Sequence, residues 1–461
     1  MAEPASDDAV AHSRRALTAL FGPPAQRQFD VRYWNGTVER CSTVPSSFTL
    51  VIARPGALRR MLLPPSELSI VEAYISGDVD VEGDLTKTMT IADAINLRLR
   101  RPSVLASLAR DLLALPRDDG DRADVRERRA DEQVEAQGKP HEAARDRAAI
   151  QYHYDVGNDF YRLWLDDRMV YSCAYFERAD NTLDDAQEAK LDLVCRKLRL
   201  REGERFLDVG CGWGALIMHA ARYYGAQAVG ITLSEQQRSL ASERIAGAGL
   251  DGRCHVEIRD YRDASRLGSF DKIASVGMVE HVGVERLGEY FASVARALTP
   301  GGLFLNHGIV RVGGAHERGW RERLERRLWR RDAFIEKYVF PDGRLGPYYS
   351  LVSAAENAGF ETRDVESLRE HYALTLRHWT GRLERCRKEA VELVGDATYR
   401  VWRLYMTASM HGFATGRLNV LQTLLAKPDN GRANLPLTRQ DLYRDEVFRS
   451  ATRSASGTVD G

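Results

Sequence analysis

Between residues 206 and 214 the chain reads Phe-Leu-Asp-Val-Gly-Cys-Gly-Trp-Gly, an apolar run that ends on an acid and breaks into alternating glycines. Gly210, Gly212 and Gly214 carry no side chain, so the backbone can turn sharply and let a ligand approach. The same spacing could cradle a dinucleotide. Asp208, just before the turn, argues for another guest, because its carboxylate can steady an amino-acid moiety and no phosphate has to be met. The pattern therefore points to S-adenosylmethionine, with Cys211 packed beside it, Trp213 in the same turn, and methyl transfer as the chemistry. Two further segments supply polar groups. Gly230-Ile231-Thr232-Leu233-Ser234-Glu235-Gln236-Gln237 lacks the usual acidic ribose clamp, which leaves Thr232 and Gln237, on either side of Leu233 and the helix start, to hydrogen-bond a ribose. Ser234 and Gln237 could equally be plain helix caps. Arg259-Asp260-Tyr261-Arg262 offers a carboxylate, next to Tyr261, where an adenine amino group would lie.

These segments need a scaffold that brings them to one edge. From Leu191 onward, helical stretches alternate with short Val/Ile/Leu-rich runs at 204–209, 226–231, 254–258, 270–276 and 303–309. Such alternation predicts βαβ units, hence an α/β fold with a parallel, Rossmann-like sheet and helices on both faces. Ligands in such sheets sit beyond the carboxyl ends of the strands, where the motifs fall. Before it, residues 28–56 hold short Val/Phe/Thr/Ile runs broken by Asn35-Gly36 and Pro55-Gly56, which read as hairpins, and 66–115 is helical in pattern. The expected organisation is a smaller N-terminal α+β domain at 1–115, a charged linker at 116–146, a catalytic domain at 147–430 and a tail at 431–461. The linker is dense in Arg, Asp and Glu and too poor in apolar side chains to order itself.

The composition narrows the partners. Lys+Arg and Asp+Glu both total 66 in 461 residues, so net charge gives no general attraction to nucleic acid or to an anionic surface, and no nucleic-acid partner is expected. The 6 cysteines form no Cys-x-x-Cys pair, which argues against a disulfide framework or a structural zinc site and fits a reducing cytoplasm; no metal is expected. Glu3, Asp7 and Asp8 stand where a secretory signal would be basic, and no long uncharged apolar run occurs, so the chain reads as soluble or peripheral.

Six ordered motifs carry a resemblance that runs from about 66 to 425. They are Tyr154-Asp155-Val156-Gly157-Asn158-Asp159-Phe160, Tyr171-Ser172-Cys173-Ala174-Tyr175-Phe176, the glycine turn, Gly-Ile-Thr-Leu-Ser, Gly277-Met278-Val279-Glu280-His281-Val282-Gly283 and Lys337-Tyr338-Val339-Phe340-Pro341-Asp342-Gly343. In these the chain resembles the cyclopropane-fatty-acyl-phospholipid synthases and their relatives, the mycolic acid cyclopropane synthases and fatty-acid methyltransferases. Even Leu68-Ser-Ile-Val-Glu72-Ala-Tyr74 is similar to a family segment, although the family's glycines are absent. The resemblance implies that a cis alkene of a lipid attacks the sulfonium methyl, and that a bound bicarbonate ion helps remove a proton from the resulting cation. It implies a bicarbonate cradle made of the Cys173 amide, the Glu280 carboxylate, the His307 imidazole, the Ile309 amide and the Tyr372 hydroxyl, and it brings Tyr171 and Ser172 to the cofactor. Glu280 and His307 would accept or relay the proton. His281 would orient its loop. Cys173 is expected to act through its backbone, because no basic neighbour in sequence lowers its thiol pKa.

Two departures from the family pattern stand out. Ser409 occupies the place of a late cysteine found in several relatives, so no catalytic thiol is expected there. An insertion at His316–Arg331 sets Trp320, Leu324, Leu328 and Trp329 at helical spacing among seven arginines; it could lie on anionic lipid or merely pack on its own domain. Tyr372, Trp379, Trp402, Tyr405, Met406, Met410 and Phe413 could line an acyl channel or be plain core. The implied partner is an unsaturated phospholipid acyl chain at the inner membrane face, and a homodimer is left open. A methyl or methylene branch on the same alkene is the nearest alternative product, and methylation of a small molecule is a more distant one.

Overall fold

The computed structural model describes residues 4–41, 46–89, 91, 102–117, 156–312, 333–340 and 345–443. The expected linker beyond 117, Tyr154-Asp155, the insertion at 316–331, Pro341-Asp342-Gly343 and the tail beyond 443 lie outside these residues. The chain divides into two compact units. One comprises Met1–Glu135, Ala315–Pro341 and Leu383–His411, and the other Ala136–Gly314, Asp342–Arg382 and Gly412–Gly461.

The first unit holds four strands, β1 (Asp30–Tyr33), β2 (Val38–Glu39), β3 (Phe48–Ile52) and β4 (Val79–Gly83), in the order β2-β1-β3-β4. Asn35-Gly36 closes the β1–β2 hairpin: Gly36 has φ +84° and Asn35 Oδ1 accepts from the Thr37 amide at 3.0 Å. Strand β4 lies inside the stretch expected to be helical. There Val79 and Val81 are buried while Glu82 faces solvent, a two-residue period too short to stand out between helices Glu67–Ile75 and Pro102–Ala114. Two buried charges of this unit, Glu39 and Arg403, are paired. Glu39 accepts from Arg27 at 2.6 Å and from Arg14 at 2.8 Å, and Arg403 donates to Glu384 at 2.7 Å. Glu72 accepts from Lys337 at 2.7 Å and from the Tyr338 hydroxyl at 3.1 Å, which joins two of the motifs.

The second unit is built on seven strands: β5 (Arg205–Val209), β6 (Gln227–Thr232), β7 (Cys254–Ile258), β8 (Phe270–Val276), β9 (Leu298–Arg311), β10 (Glu361–Ser367) and β11 (Leu418–Ala426). Their order is β10-β11-β9-β8-β5-β6-β7. The five expected strands, β5 to β9, pair in parallel, whereas β11 runs antiparallel to both β9 and β10. Phe206, Leu207, Ile273, Phe304 and Leu305 are fully buried, as strands covered on both faces require. Helices Leu183–Leu198 and Ala215–Tyr224 pack Val194, Leu198, Ile217 and Ala220 against Phe206 on one face. Helix Leu287–Ala297 packs Phe291 and Val294 against Leu207 and Phe304 on the other. Thr182 opens helix Leu183–Leu198 with a capping box to Asp185. Among the described residues no helix is long and apolar enough to cross a membrane.

Candidate active site

A cleft of about 1120 Å³, its open mouth included, lies beyond the carboxyl ends of β5, β6, β7 and β8. Every expected cofactor residue except Gly214 lines it: Tyr171, Ser172, Asp208, Gly210, Cys211, Gly212, Trp213, Thr232, Leu233, Gln237, Asp260 and Tyr261. Gly210 and Gly212 sit at φ +83° and +53°, which favours glycine. The amides of Gly210 and Cys211 both donate to the Ile231 carbonyl at 3.0 Å, tying the turn to β6. Gly214 serves packing instead: a Cβ there would lie 3.2 Å from Ala241 on the helix that follows β6.

The polar groups of the cleft suit S-adenosylmethionine. Asp208 is buried with one carboxylate oxygen, Oδ1, lacking any hydrogen-bond partner, and burial raises its pKa to about 7. A buried carboxylate left in that condition calls for a cationic ligand group such as an ammonium. Thr232 donates to Gln237 Oε1 at 2.7 Å and Ser234 accepts from the Gln237 amide at 3.3 Å, so this pair both borders the cleft and caps helix Glu235–Gly247. Asp260 caps the turn that follows it, accepting from the Arg262 amide at 2.9 Å. Sequence reasoning missed Lys190, which lines the cleft and donates to the Ser172 hydroxyl at 2.8 Å. Its pKa is depressed to about 8 by burial, against the pull of Asp166. The signal was present, since Lys190 falls on the buried stripe Leu183–Gln187–Lys190–Val194–Leu198.

The residues implied for the anion do not line this cleft. Glu280 stands in helix Val279–Val282 after β8, and its Oε1 accepts from the Ile309 amide at 2.7 Å. That amide, expected to face an anion, is thus directed at the carboxylate. Glu280 Oε2 is buried without a hydrogen-bond partner, and desolvation lifts the Glu280 pKa to about 7. His307 lies two residues before Ile309 on β9, hence on the same side of the sheet. Its Nδ1 lies 3.2 Å from Gln422 Nε2 on β11, and its Nε2 has no partner. Gly308 between them admits the Glu280 helix, since a Cβ there would come within 2.3 Å of Val279 Cγ1.

Cys173 and Tyr372 reach this neighbourhood through Leu368, whose carbonyl accepts from the Tyr372 amide at 3.0 Å and lies 3.7 Å from the Cys173 sulfur. The Leu368 amide in turn donates to Val420 of β11, opposite Ile309. Burial pushes the Cys173 thiol up, so a thiolate nucleophile is disfavoured. His281 lines the cofactor cleft and is held neutral, its pKa lowered to about 4 by burial. Aromatic rings run from the cleft toward Tyr372: Tyr171 lies 5.3 Å from Trp379, Trp379 6.0 Å from Tyr372, and Tyr372 4.6 Å from Phe413. Of the other aromatic residues in the late stretch, Trp402 and Tyr405 pack on each other within the first unit, at 6.0 Å. Met406, Met410 and Ser409 are buried in that unit.

A mostly parallel seven-stranded sheet with this cleft at its carboxyl edge defines an S-adenosylmethionine-dependent methyltransferase. Residues 141–423 match the family described as mycolic acid cyclopropane synthetase, and 16–96 match a domain of unknown function. The chain belongs to the mycolic acid cyclopropane synthase family. It is 40% identical over 431 residues to a probable fatty acid methyltransferase of Pseudomonas putida, covering 92% of this chain and 99% of that protein. It is 37% identical to cyclopropane mycolic acid synthase 1 of Mycobacterium tuberculosis over 278 residues, 60% of this chain and 95% of the relative. A crystal structure of a mycolic acid cyclopropane synthase complexed with SAH and CTAB superposes with a TM-score of 0.57 at 36% identity, over 60% of this chain and 97% of that one.

Proposed function

We propose that the protein transfers the methyl carbon of S-adenosylmethionine to a cis double bond in a phospholipid acyl chain, with the proton removed through bound bicarbonate. The observation that carries this reading is the pair of buried polar atoms, Glu280 Oε2 and His307 Nε2, that lack hydrogen-bond partners. A methyltransferase acting on an amine or phenol has no evident need of them. When bound, S-adenosylmethionine would supply an electrophilic methyl carbon that an alkene can take up as the sulfur–methyl bond breaks and S-adenosylhomocysteine leaves, with a cation beside the newly bonded carbon.

The protein's part is to hold, dry and deprotonate. Asp208 binds the ammonium of the cofactor, and the glycine turn lets the backbone close over it. Tyr171, Trp379 and Tyr372 exclude water and turn electron-rich rings toward developing positive charge. Alignment of so weak a nucleophile as an alkene can contribute roughly 7 to 11 kcal/mol. Glu280, with a pKa near neutrality, receives the proton, and its unpartnered Oε2 together with the unpartnered His307 Nε2 suits a small oxyanion as carrier. The acyl chain is taken from a membrane surface on the cytoplasmic side.

A second reading has a specific observation in its favour. The relative matched over nearly the whole chain is called a fatty acid methyltransferase, whereas the cyclopropane synthase match covers 60% of it. A methylene branch on the acyl chain is an isomer of the ring and needs no further reagent, whereas a saturated methyl branch also needs a reductant. The test is to incubate the protein with methyl-labelled S-adenosylmethionine and mono-unsaturated phospholipid vesicles, then fragment the lipids in a mass spectrometer. A labelled ring supports the first reading and a labelled branch the second. Transfer to soluble amines or phenols but never to lipid would sink both.

A further inference from the structure

Lysine 197 is nearly fully buried, on the last turn of helix Leu183–Leu198, and it touches nothing in the cofactor cleft. Its ammonium donates to Gln422 Oε1 at 2.7 Å and is paired with the carboxylate of Glu366 on β10. The other end of the same glutamine, Nε2, lies 3.2 Å from His307 Nδ1. Gln422 is a buried polar residue of β11, Leu-Asn-Val-Leu-Gln-Thr-Leu-Leu-Ala, and it pairs directly with His307 across the sheet. An ammonium has only donors, so the amide atom facing Lys197 has to be the oxygen, and the amide nitrogen has to face the imidazole. That nitrogen can only donate. His307 Nδ1 must therefore accept, and the ring proton must sit on Nε2.

We infer that Lys197 and Gln422 are positioning residues that hold His307 as its Nε2–H tautomer, leaving the buried, unpartnered Nε2 to act as a hydrogen-bond donor. The inference rests on the proposed role of Glu280 and His307 as an anion site and assigns the division of labour between them. A neutral imidazole whose Nε2 carries the proton and whose Nδ1 is occupied has no lone pair to offer. On this reading His307 presents a proton to an oxyanion and does not take one, a different role from accepting or relaying the proton through the anion. Acceptance falls to Glu280 or to the anion it faces. Burial and the nearby positive charges of Lys190 and Lys197 work in the same direction, holding the ring neutral.

The tautomer can be read without any turnover, by nitrogen NMR of the full-length protein labelled in histidine, with His307→Gln to assign the signal. The expected wild-type result is a protonated Nε2 and a bare Nδ1 from about pH 6 to about pH 8. A protonated Nδ1, or a doubly protonated ring in that range, overturns the inference. In Gln422→Glu the carboxylate can only accept, so the proton should move to Nδ1. Methyl transfer to unsaturated lipid vesicles should then fall at least about tenfold while affinity for S-adenosylhomocysteine stays unchanged. Lys197→Arg, which keeps a donor-only group, should retain the wild-type spectrum. Should Gln422→Glu not fold, the wild-type spectrum still decides the tautomer. A moved proton with an unchanged rate would overturn the positioning role. Absence of any lipid product from wild-type protein with the expected spectrum would sink the functional reading and leave the Lys197–Gln422–His307 positioning supported.

Discussion

At the scale of single residues the site depends on two carboxyls that burial has pushed to neutrality. Asp208 and Glu280 both have pKa values raised to about 7, chiefly by desolvation. In Glu280 the folded value lies above the ordinary 4.5, so the folded protein holds a proton that the unfolded chain has released. The stability tied to that proton is complete below about 4.5 and is lost as pH rises to about 7, a change on the order of 3 kcal/mol. Glu280→Gln removes that slope. We expect the variant to be more stable than wild type at about pH 8 but not at about pH 5 in urea titrations, and to lose transfer at least about a hundredfold. Undiminished lipid product would exclude Glu280 as the proton acceptor. Asp208→Asn keeps the shape but not the charge. It should weaken S-adenosylhomocysteine binding by about tenfold to a hundredfold in calorimetry, the worth of a charge-assisted bond.

At the scale of elements, what matters is how closely the Glu280 helix sits on β9. Val279 comes so near Gly308 that the smallest added side chain would overlap it. Gly308→Ala is expected to cost about 1–3 kcal/mol and to break the Glu280–Ile309 hydrogen bond, lowering transfer more than cofactor affinity. Equal loss of both would show that the variant disturbs the whole sheet edge. The same elements show what a sequence can reveal. Strands β5 to β9 and the turn at Gly210 were legible because apolar runs and glycines mark them locally. Strands β10 and β11 were not: Glu-Thr-Arg-Asp-Val-Glu-Ser carries too much charge to read as a strand, and its partner lies far along the chain. Lys190, Lys197 and Gln422 escaped for a related reason. Each is a polar residue on a buried stripe whose partner comes from another element, Ser172 for Lys190 and the Lys197–Gln422 pair for each other. Glu280 and His307 were found through the motifs around them, whereas the use of the Ile309 amide by Glu280 is a matter of side-chain direction.

At the scale of the whole molecule, the segments Ala315–Pro341 and Leu383–His411 return to the unit that begins at the N-terminus. A reading that runs along the chain places both with the catalytic sheet, since nothing in their composition marks the crossing. All the proposed cofactor and proton-handling residues, in contrast, belong to the other unit. S-adenosylhomocysteine at a hundred times its dissociation constant should stabilise that unit by about 2.7 kcal/mol. In scanning calorimetry we expect two transitions, of which only one moves upward with ligand. A single transition that shifts as a whole would show that the units unfold together.

Strand β11 has a consequence for biosynthesis. It covers the edge of β9 and brings Gln422 to His307, yet it starts at Leu418, whereas β9 ends at Arg311. As the chain leaves the ribosome, β9 must wait, apolar and half-paired, while every intervening residue is made. The nascent protein can thus shape its cofactor cleft well before it owns a working active site. In that interval an open sheet edge invites pairing with neighbouring chains, and chains halted before Leu418 are expected to appear in the insoluble fraction.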